Sequence, residues 1–210
     1  MNGTGADEAF MRRALSLAWG QLGRTAPNPS VGCVIVADGV VVGEAATGDG
    51  GRPHAEETAL YAAGDQATGA TAYVTLEPCT MRSNGAVACA QRLVDAKVAR
   101  VVIACQDPNP HAADGESLLR SAGVSVEMGC LRGDGERLNA GFFKLVRTGR
   151  PLLVVATSGD GFDAEFTPGP LEDFEQTLER HGAAGMTRVF VRAGTALAAE
   201  LSARGLVDEA

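Results

Sequence analysis

The sequence predicts an α/β protein in which helices cover both faces of a mixed sheet, followed by a small second α/β segment. Two observations support this fold class. An apolar stretch is interrupted at Asp38-Gly39, a turn signal typical of a tight hairpin between two strands. After it, apolar runs of strand length alternate with stretches of helical periodicity. A hairpin followed by alternating units predicts antiparallel and parallel strand pairs within one three-layer α-β-α arrangement.

The individual elements follow from periodicity and from turn residues. Residues 7–21 place Phe10 and Ala14 at helical spacing. Pro27 and Pro29 then predict a turn, because closely spaced prolines forbid regular structure. The further predicted helices are 54–67, 86–96, 114–122 and 133–147, and the predicted strands after the hairpin are 71–77, 100–105 and 124–128. With the hairpin, these strands predict a five-stranded sheet.

A second segment begins near Arg150-Pro151. Its predicted elements are strands 152–157 and 187–194, a loop over 158–170, and helices 171–182 and 195–205. About 60 residues are few for an independent domain, so we expect this segment to pack on the first domain or on a second copy of the chain. The expected domains are therefore 1–149 and 150–210.

Composition limits the class of protein. The 210 residues include 45% apolar and 21% charged side chains, which is ordinary for a soluble globular protein. No apolar run approaches the roughly 20 residues that span a bilayer, and the first residues lack the order of a signal peptide, so we expect a cytoplasmic protein without a membrane partner. The net charge of −8 argues against a nucleic-acid partner, because phosphate contacts need clustered Lys and Arg.

The five cysteines are expected to be packing residues or metal ligands. Their number is odd and the expected compartment is reducing, so a disulfide framework is not predicted. Cys33 and Cys105 lie in apolar strands and are interpreted as core residues, and Cys130 is interpreted as inert. The remaining two, Cys79 and Cys89, lie near a strand end and a predicted helix.

A set of residues predicts a catalytic zinc site. His54 follows Pro53, Cys79 follows Pro78, and Cys89 comes after nine intervening residues. One imidazole and two thiolates suit tetrahedral zinc, and three protein ligands leave the fourth position to water, as in catalytic sites. Zinc deaminases combine H-x-E with P-C-x-x-C; this chain has H-x-E and P-C but a longer spacing to the second cysteine.

Glu56 is the predicted proton shuttle. It lies two residues after His54, and residues so spaced on a helix point about 200° apart, so it is not expected to be a further metal ligand. A carboxylate at an irregular first turn can take a proton from water and deliver it to a ring nitrogen and a leaving amine. The alternative interpretations are a chance triplet or a structural zinc, although a structural site usually has four protein ligands.

Five segments then carry a family resemblance. The stretches TAPNPSVGCVIVADGVVVGE, GGRPHAEETAL, GATAYVTLEPC, ARVVIACQDPNP and LNAGFF resemble, in order, the deaminase domain of the bifunctional riboflavin-pathway deaminase/reductase family. The resemblance covers roughly residues 8–150. It implies a cytidine deaminase-like fold, one zinc ion, and hydrolytic loss of ammonia from a diamino-hydroxy-pyrimidine that carries a phosphorylated ribosylamine.

The resemblance also implies roles for residues. His54, Cys79 and Cys89 would bind zinc and Glu56 would be the acid/base. Seven residues are predicted to contact the substrate, either because they match the family's residues or because they stand in their place. They are Asn28, Thr47, Arg82, Ser83, Asn84, Asp107 and Asn109. An alternative interpretation is that Asn28, Asp107 and Asn109 only shape their turns. Thr47 stands where many relatives have a histidine.

The segment between the two cysteines departs from the family. Relatives usually have a histidine, then a basic residue, then a Thr-Pro-Pro run, whereas residues 80–88 read TMRSNGAVA. Arg82 could replace the phosphate-binding base, with neighbouring donors from Ser83 and Asn84. This departure leaves open another small heterocycle as substrate, or a zinc-stabilised binding protein without catalysis. A nucleic-acid deaminase is disfavoured by the acidic charge and the 5% of aromatic residues.

The C-terminal segment resembles parts of the family's reductase domain. GRPLLVVATSGDG is similar to its start and RVFVRAGTALAAELSARGLVDEA to its later part, without the nucleotide-binding region between them. A dinucleotide site needs a strand–turn–helix phosphate cradle, so no reductase activity is predicted. We expect the segment to cover a surface or to help form a homodimer or higher homo-oligomer.

Overall fold

The computed structural model describes residues 3–82, 84–110, 112–169 and 173–208. Its helices are α1 (Gly3–Trp19), α2 (Ala55–Ala63), α3 (Cys89–Asp95), α4 (Gly115–Ser121), α5 (Arg132–Leu138), α6 (Ala140–Thr148), α7 (Phe174–Ala183) and α8 (Ala196–Ala203). Its strands are β1 (Gly32–Ala37), β2 (Val40–Ala46), β3 (Thr71–Leu76), β4 (Arg100–Cys105), β5 (Ser125–Met128), β6 (Leu152–Ala156), β7 (Ala164–Glu165) and β8 (Arg188–Arg192). Short 3₁₀ turns cover Asp49–Gly51 and Gly64–Ala67.

The main sheet has the predicted mixed topology. Its strand order is β2-β1-β3-β4-β5; β1 pairs antiparallel with β2 and β3, whereas β3, β4 and β5 run parallel. Asp38 and Gly39 both have positive φ, 50° and 79°, which is the backbone of the type I′ hairpin turn. The local turn signal thus placed β1 next to β2, and the α/β fold class is confirmed.

Helices cover both faces of this sheet. Alternate side chains of a strand point to opposite faces: Cys33 and Ile35 of β1 pack with α2 and α3, whereas Val34 and Val36 pack with α1 and α5. Cys105 lies in the first of these two cores. Cys33 and Cys105 are therefore packing residues, as predicted.

Several predicted boundaries differ from those observed. The single helix expected over 133–147 is divided into α5 and α6 at Asn139, whose ψ of 12° takes the backbone out of the helical range. The helix expected over 86–96 begins only at Cys89. The helix expected over 54–67 ends at Ala63, because the next residue, Gly64, has a φ of 53°. The loop expected over 158–170 contains β7, whose two residues are too few to show a periodic pattern.

The C-terminal unit, defined as residues 151–208, has its own parallel sheet of order β6-β8-β7. Its core includes Leu153, Phe166, Leu178, Val189 and Leu201. In the described part of the chain, none of the helices combines the length and the apolar character needed to cross a bilayer.

A buried ion pair fixes α1 to the main sheet. Both carboxylate oxygens of Asp7 accept hydrogen bonds from Arg100 at 2.8 Å, and the Tyr73 hydroxyl donates to Asp7 at 2.7 Å. Asp7 is only 5% exposed. The hydrogen bonds from Arg100 hold the pKa of Asp7 below its ordinary value. The carboxylate is therefore the form that the fold stabilises.

We expect Asp7→Asn to lower the free energy of unfolding by about 1–3 kcal/mol at neutral pH, because the buried network loses its negative charge and one of its two acceptor oxygens. Since the folded-state pKa is lowered, this stabilisation is complete above the ordinary carboxyl pKa and is lost as pH falls through the lowered value. Urea titrations from neutral to about pH 3 measure it. The exposed Glu127, which also accepts from Arg100, is the control; Glu127→Gln is expected to cost under about 1 kcal/mol. If Asp7→Asn lowered the free energy of unfolding by the same amount at every pH, a stabilising Asp7 carboxylate would be contradicted.

Candidate metal centre and active site

The chain positions a ring nitrogen and two sulfurs at one point. His54 is the residue before α2, Cys79 follows β3, and Cys89 is the first residue of α3. The His54 Nδ1 lies 3.8 Å from the Cys79 Sγ and 3.3 Å from the Cys89 Sγ. Their ligand atoms all lie within 4.8 Å of one another. Two helix starts thus bring together residues that are far apart in sequence.

The electrostatics of the two thiols favour a bound cation. The backbone N–H of Cys89 lies 3.5 Å from the Cys79 Sγ, and a helix start favours thiolate. Hydrogen bonding with Cys89 lowers the pKa of the Cys79 thiol to about 4. The Cys89 pKa is raised, because this thiol donates to the Cys79 sulfur and is itself buried. One thiolate forms readily, and a cation is needed to stabilise the second.

These residues fit zinc. Sulfur and imidazole nitrogen are the donors that zinc prefers, and three protein ligands are typical of its catalytic sites. His54 is half-buried while both cysteines are buried, and His54 and Cys79 line a cavity that also contains Glu56. The donor set and its burial together support a zinc site.

Glu56 lies in the first turn of α2 beside this group. It is only 3% exposed and lines the same cavity as His54 and Cys79. Burial raises the pKa of Glu56, and the negative charge of Cys79 raises it further. A carboxyl group in this setting binds a proton more readily than one on the surface, which suits a group that accepts and returns protons.

The cavity has a volume of about 440 Å³. Five of the seven predicted substrate contacts line it: Asn28, Thr47, Arg82, Asp107 and Asn109. Asn84 does not; it is exposed, and its Oδ1 accepts from the Ala86 N–H at 3.1 Å, so it stabilises its own turn. A substrate contact by Asn84 therefore remains a prediction that this geometry does not favour. Ser83 lies outside the described residues.

Two of these lining residues are already engaged. The Thr47 hydroxyl accepts from the Val31 N–H at 2.9 Å and lies 3.4 Å from the Val31 carbonyl oxygen, so it links the residue after β2 to the residue before β1. Asp107 accepts from the Asn109 N–H at 2.8 Å, and burial raises its pKa to about 6. Asp107 and Asn109 therefore form the turn that was the alternative interpretation, and both also line the cavity.

Arg82 is the buried cation of the cavity. Its side chain is 3% exposed and donates to Glu57 at 2.8 Å, and Glu57 also pairs with Arg92 at 3.2 Å. Arg92 in turn donates to the Val87 carbonyl oxygen at 3.1 Å. The Nε of Arg82 is buried and has no acceptor among the described residues. Glu57 thus holds Arg82 against α2 through one guanidinium nitrogen, Nη1, and leaves the Nε outside this ion pair.

Two carboxylates at or beside the cavity are absent from the predicted site residues. Glu57 positions Arg82, as above. Glu77 is buried, lines the cavity, and accepts from the Glu116 N–H at 3.0 Å and the Asp107 N–H at 3.4 Å. It therefore links the end of β3 to the start of α4 and to the loop after β4. Its place directly before Pro78-Cys79 was a signal that it lies at the site.

Comparisons with known proteins agree with this geometry. Residues 4–105 match the family described as "Cytidine and deoxycytidylate deaminase zinc-binding region". The chain is 43% identical over 148 residues to the "Diaminohydroxyphosphoribosylamino-pyrimidine deaminase" of Buchnera aphidicola subsp. Acyrthosiphon pisum, which covers 69% of this chain and 99% of that protein. It is 51% identical over 150 residues to "Riboflavin biosynthesis protein RibD" of Escherichia coli, covering 70% of this chain and 40% of that protein.

Among solved structures, "Acinetobacter baumannii RibD, form 1" superposes with a TM-score of 0.83 at 27% identity, covering 98% of this chain and 85% of that chain. The mixed sheet and the group formed by one imidazole, two thiols and a buried carboxylate define the class of zinc-binding deaminases with the cytidine deaminase-like fold. More particularly, the chain belongs to the diaminohydroxyphosphoribosylaminopyrimidine deaminase family. It spans 40% of the length of the Escherichia coli relative.

Proposed function

We propose that this chain is a zinc-dependent hydrolytic deaminase whose substrate is the diamino-hydroxy-pyrimidine ribosylamine phosphate of riboflavin biosynthesis. The observation that carries the proposal is the buried Glu56 beside His54, Cys79 and Cys89 in a cavity of about 440 Å³. Relatives named as deaminases of this pyrimidine and as RibD proteins support the substrate. Zinc bound by the three residues would lower the pKa of a water molecule to about 7.

Glu56 performs the proton transfers in the proposed reaction. It accepts a proton from the attacking water and delivers it to the ring nitrogen next to the amino-bearing carbon. Water oxygen adds to that carbon, and the amino group leaves as ammonia after taking up the second proton through Glu56. The product carries a carbonyl in place of the amine. The raised pKa of Glu56 suits both the uptake of a proton from water and its delivery to the substrate.

Arg82 is proposed to bind the substrate phosphate. It is a buried cation that lines the cavity and belongs to the segment 80–88 that departs from the family, and charge-assisted hydrogen bonds to phosphate are strong. Asn28, Asp107 and Asn109 are proposed to contact the polar edge of the pyrimidine and its sugar. Thr47 is proposed to contribute to the shape of the cavity, since its hydroxyl is engaged with Val31.

Arg82→Gln and Arg92→Gln form a matched pair, because both arginines pair with Glu57 but Arg92 is not among the described residues that line the cavity. We expect Arg82→Gln to raise KM for the phosphorylated substrate by about 10- to 100-fold, from the loss of one charged hydrogen bond. KM for the dephosphorylated compound is expected to change little, and Arg92→Gln to leave both values near wild type. Equal effects on the two compounds would contradict phosphate binding by Arg82.

A second candidate is deamination of another small heterocycle. It is favoured by Glu57, which already neutralises part of the Arg82 charge. Ammonia release from the zinc-loaded chain, offered the phosphorylated pyrimidine, its dephosphorylated form, cytosine, cytidine and guanine, separates the two. Turnover of the first compound supports the leading proposal, and turnover of another compound alone supports the second.

We further propose the domain boundaries 1–149 and 150–210, a cytoplasmic location, and a homodimer or higher homo-oligomer. The boundaries are supported by the separate cores of the two sheets. The acidic net charge of −8 supports a small-molecule substrate rather than a nucleic acid. Light scattering of the zinc-loaded chain measures the oligomeric state, and a monomeric mass would contradict the last of these proposals.

A further inference from the structure

The cavity loop, defined as residues 22–29, connects α1 to β1, and its Asn28 and Pro29 line the cavity. The outer side of the loop lies against the C-terminal unit. A Cβ atom placed on Gly23 would lie 2.6 Å from the Phe162 carbonyl oxygen, and one placed on Gly185 would lie 2.7 Å from the Pro27 Cβ. The two units therefore approach at both places more closely than a side chain would allow.

Hydrogen bonds within the cavity loop connect its residues, so that a displacement of Pro27 would also displace Asn28. The Asn28 N–H donates to the Thr25 carbonyl oxygen at 3.0 Å, and the Thr25 hydroxyl donates to the Asn28 carbonyl oxygen at 3.1 Å. The loop also holds a neighbouring wall, because the Gly50 N–H donates to the Arg24 carbonyl oxygen at 2.8 Å. The segment after Gly50 contains further lining residues. A contact on the outer side of the loop therefore bears on the shape of the cavity.

A second wall of the cavity rests on the same unit. Phe142 of α6 lines the cavity, and a Cβ placed on the adjacent Gly141 would lie 2.5 Å from the Thr187 carbonyl oxygen. Asp163 accepts from the Thr187 N–H at 2.6 Å, and the Arg188 guanidinium lies 5.5 Å from the centre of the Phe162 ring. The turn around Phe162 and the start of β8 thus form one support for both walls.

We propose that the C-terminal unit is a positioning element of the deaminase site: by contacting Gly23, Pro27 and Gly141 it fixes the walls that carry Asn28 and Phe142. A surface loop without such contacts is mobile, and displacement of a substrate-positioning group by about 1 Å can cost up to about 100-fold in rate. The C-terminal unit therefore serves the deaminase reaction without contacting the substrate. The part of this inference that concerns substrate binding rests on the proposed function; the part that concerns the loop does not.

Gly185→Ala and Gly194→Ala test the contact with a matched control. Both glycines have positive φ, 80° and 78°, so alanine is equally strained at either position. Only the alanine at 185 meets Pro27; no described atom lies within 4 Å of a Cβ on Gly194. Hydrogen–deuterium exchange is measured on the zinc-loaded full chain. We expect faster exchange over residues 22–28 in Gly185→Ala and wild-type exchange there in Gly194→Ala. Equal exchange over 22–28 in the two variants would overturn the proposal.

Gly23→Ala and Gly39→Ala repeat the test from the other side of the contact, should Gly185→Ala fail to fold. Their φ values are 78° and 79°, and only the Cβ at 23 meets the Phe162 backbone. For both contact variants we expect kcat/KM to fall by about 10- to 100-fold at an unchanged zinc content. An unchanged kcat/KM would contradict positioning. If the wild-type chain deaminates none of the compounds offered, the proposed function fails, and the exchange rates over 22–28 still decide the positioning role.

Discussion

Ammonia release is expected to fall by about 100- to 10,000-fold when Glu56 is replaced by glutamine, the usual range for removal of a general acid–base. Glutamine preserves the size and most of the packing of this buried side chain but can neither accept the proton of water nor return it to the substrate. The raised pKa of Glu56 matters because the same group must hold the proton between these two transfers.

The Glu56→Gln variant also separates catalysis from metal binding. Because Glu56 is not one of the three clustered ligand residues, the variant is expected to keep its zinc content and its melting temperature near wild type. Zinc analysis and thermal melting of the same preparation check this. Full deaminase activity of the variant would contradict the role of Glu56. A retained biological role in a variant without deaminase activity would favour a zinc-stabilised binding protein.

Replacing Cys89 by serine is expected to remove most zinc from the protein. Cys89 supplies one of only two sulfurs in the cluster, and loss of a ligand should exceed the roughly 10- to 100-fold effect of changing an outer hydrogen-bond partner. Activity is expected to fall with the zinc content. Because zinc that binds the folded state stabilises it, a chelator should lower the melting temperature of the wild-type chain but not that of Cys89→Ser.

Cys130→Ser is the matched control for this experiment. Cys130 is half-buried and lies outside the cluster, so the variant should keep wild-type zinc content and the same response to chelator. If Cys89→Ser retained a full complement of zinc, or if Cys130→Ser lost it, the assigned ligand set would be wrong.

The features that the sequence predicts well are local. Asp38-Gly39 specifies its hairpin because the required positive φ values belong to those two residues. The residue types at 54, 56, 79 and 89 indicate zinc chemistry because few other arrangements use one imidazole, two thiols and a carboxylate together. The start of α3 at Cys89 was placed three residues too early, an error that did not affect the ligand assignment.

The features that were missed depend on contacts between distant residues. Glu57 pairs with Arg82, which is 25 residues away, and Glu77 accepts from Glu116, which is 39 residues away. Neither pairing has a periodic signal in the sequence. The contact of Gly185 with Pro27 likewise joins residues of the two units that are far apart in sequence. Periodicity reports which face of an element is buried, but it does not identify the partner.

The most direct test of the proposed chemistry is to incubate the zinc-loaded chain with the phosphorylated diamino-hydroxy-pyrimidine in water labelled with heavy oxygen. Mass spectrometry of the product and a parallel assay for ammonia are read together. We expect one labelled oxygen in the product for each ammonia released, with neither signal from the Glu56→Gln variant. Ammonia without label in the product, or label and ammonia at wild-type rates in Glu56→Gln, would contradict hydrolytic deamination through Glu56.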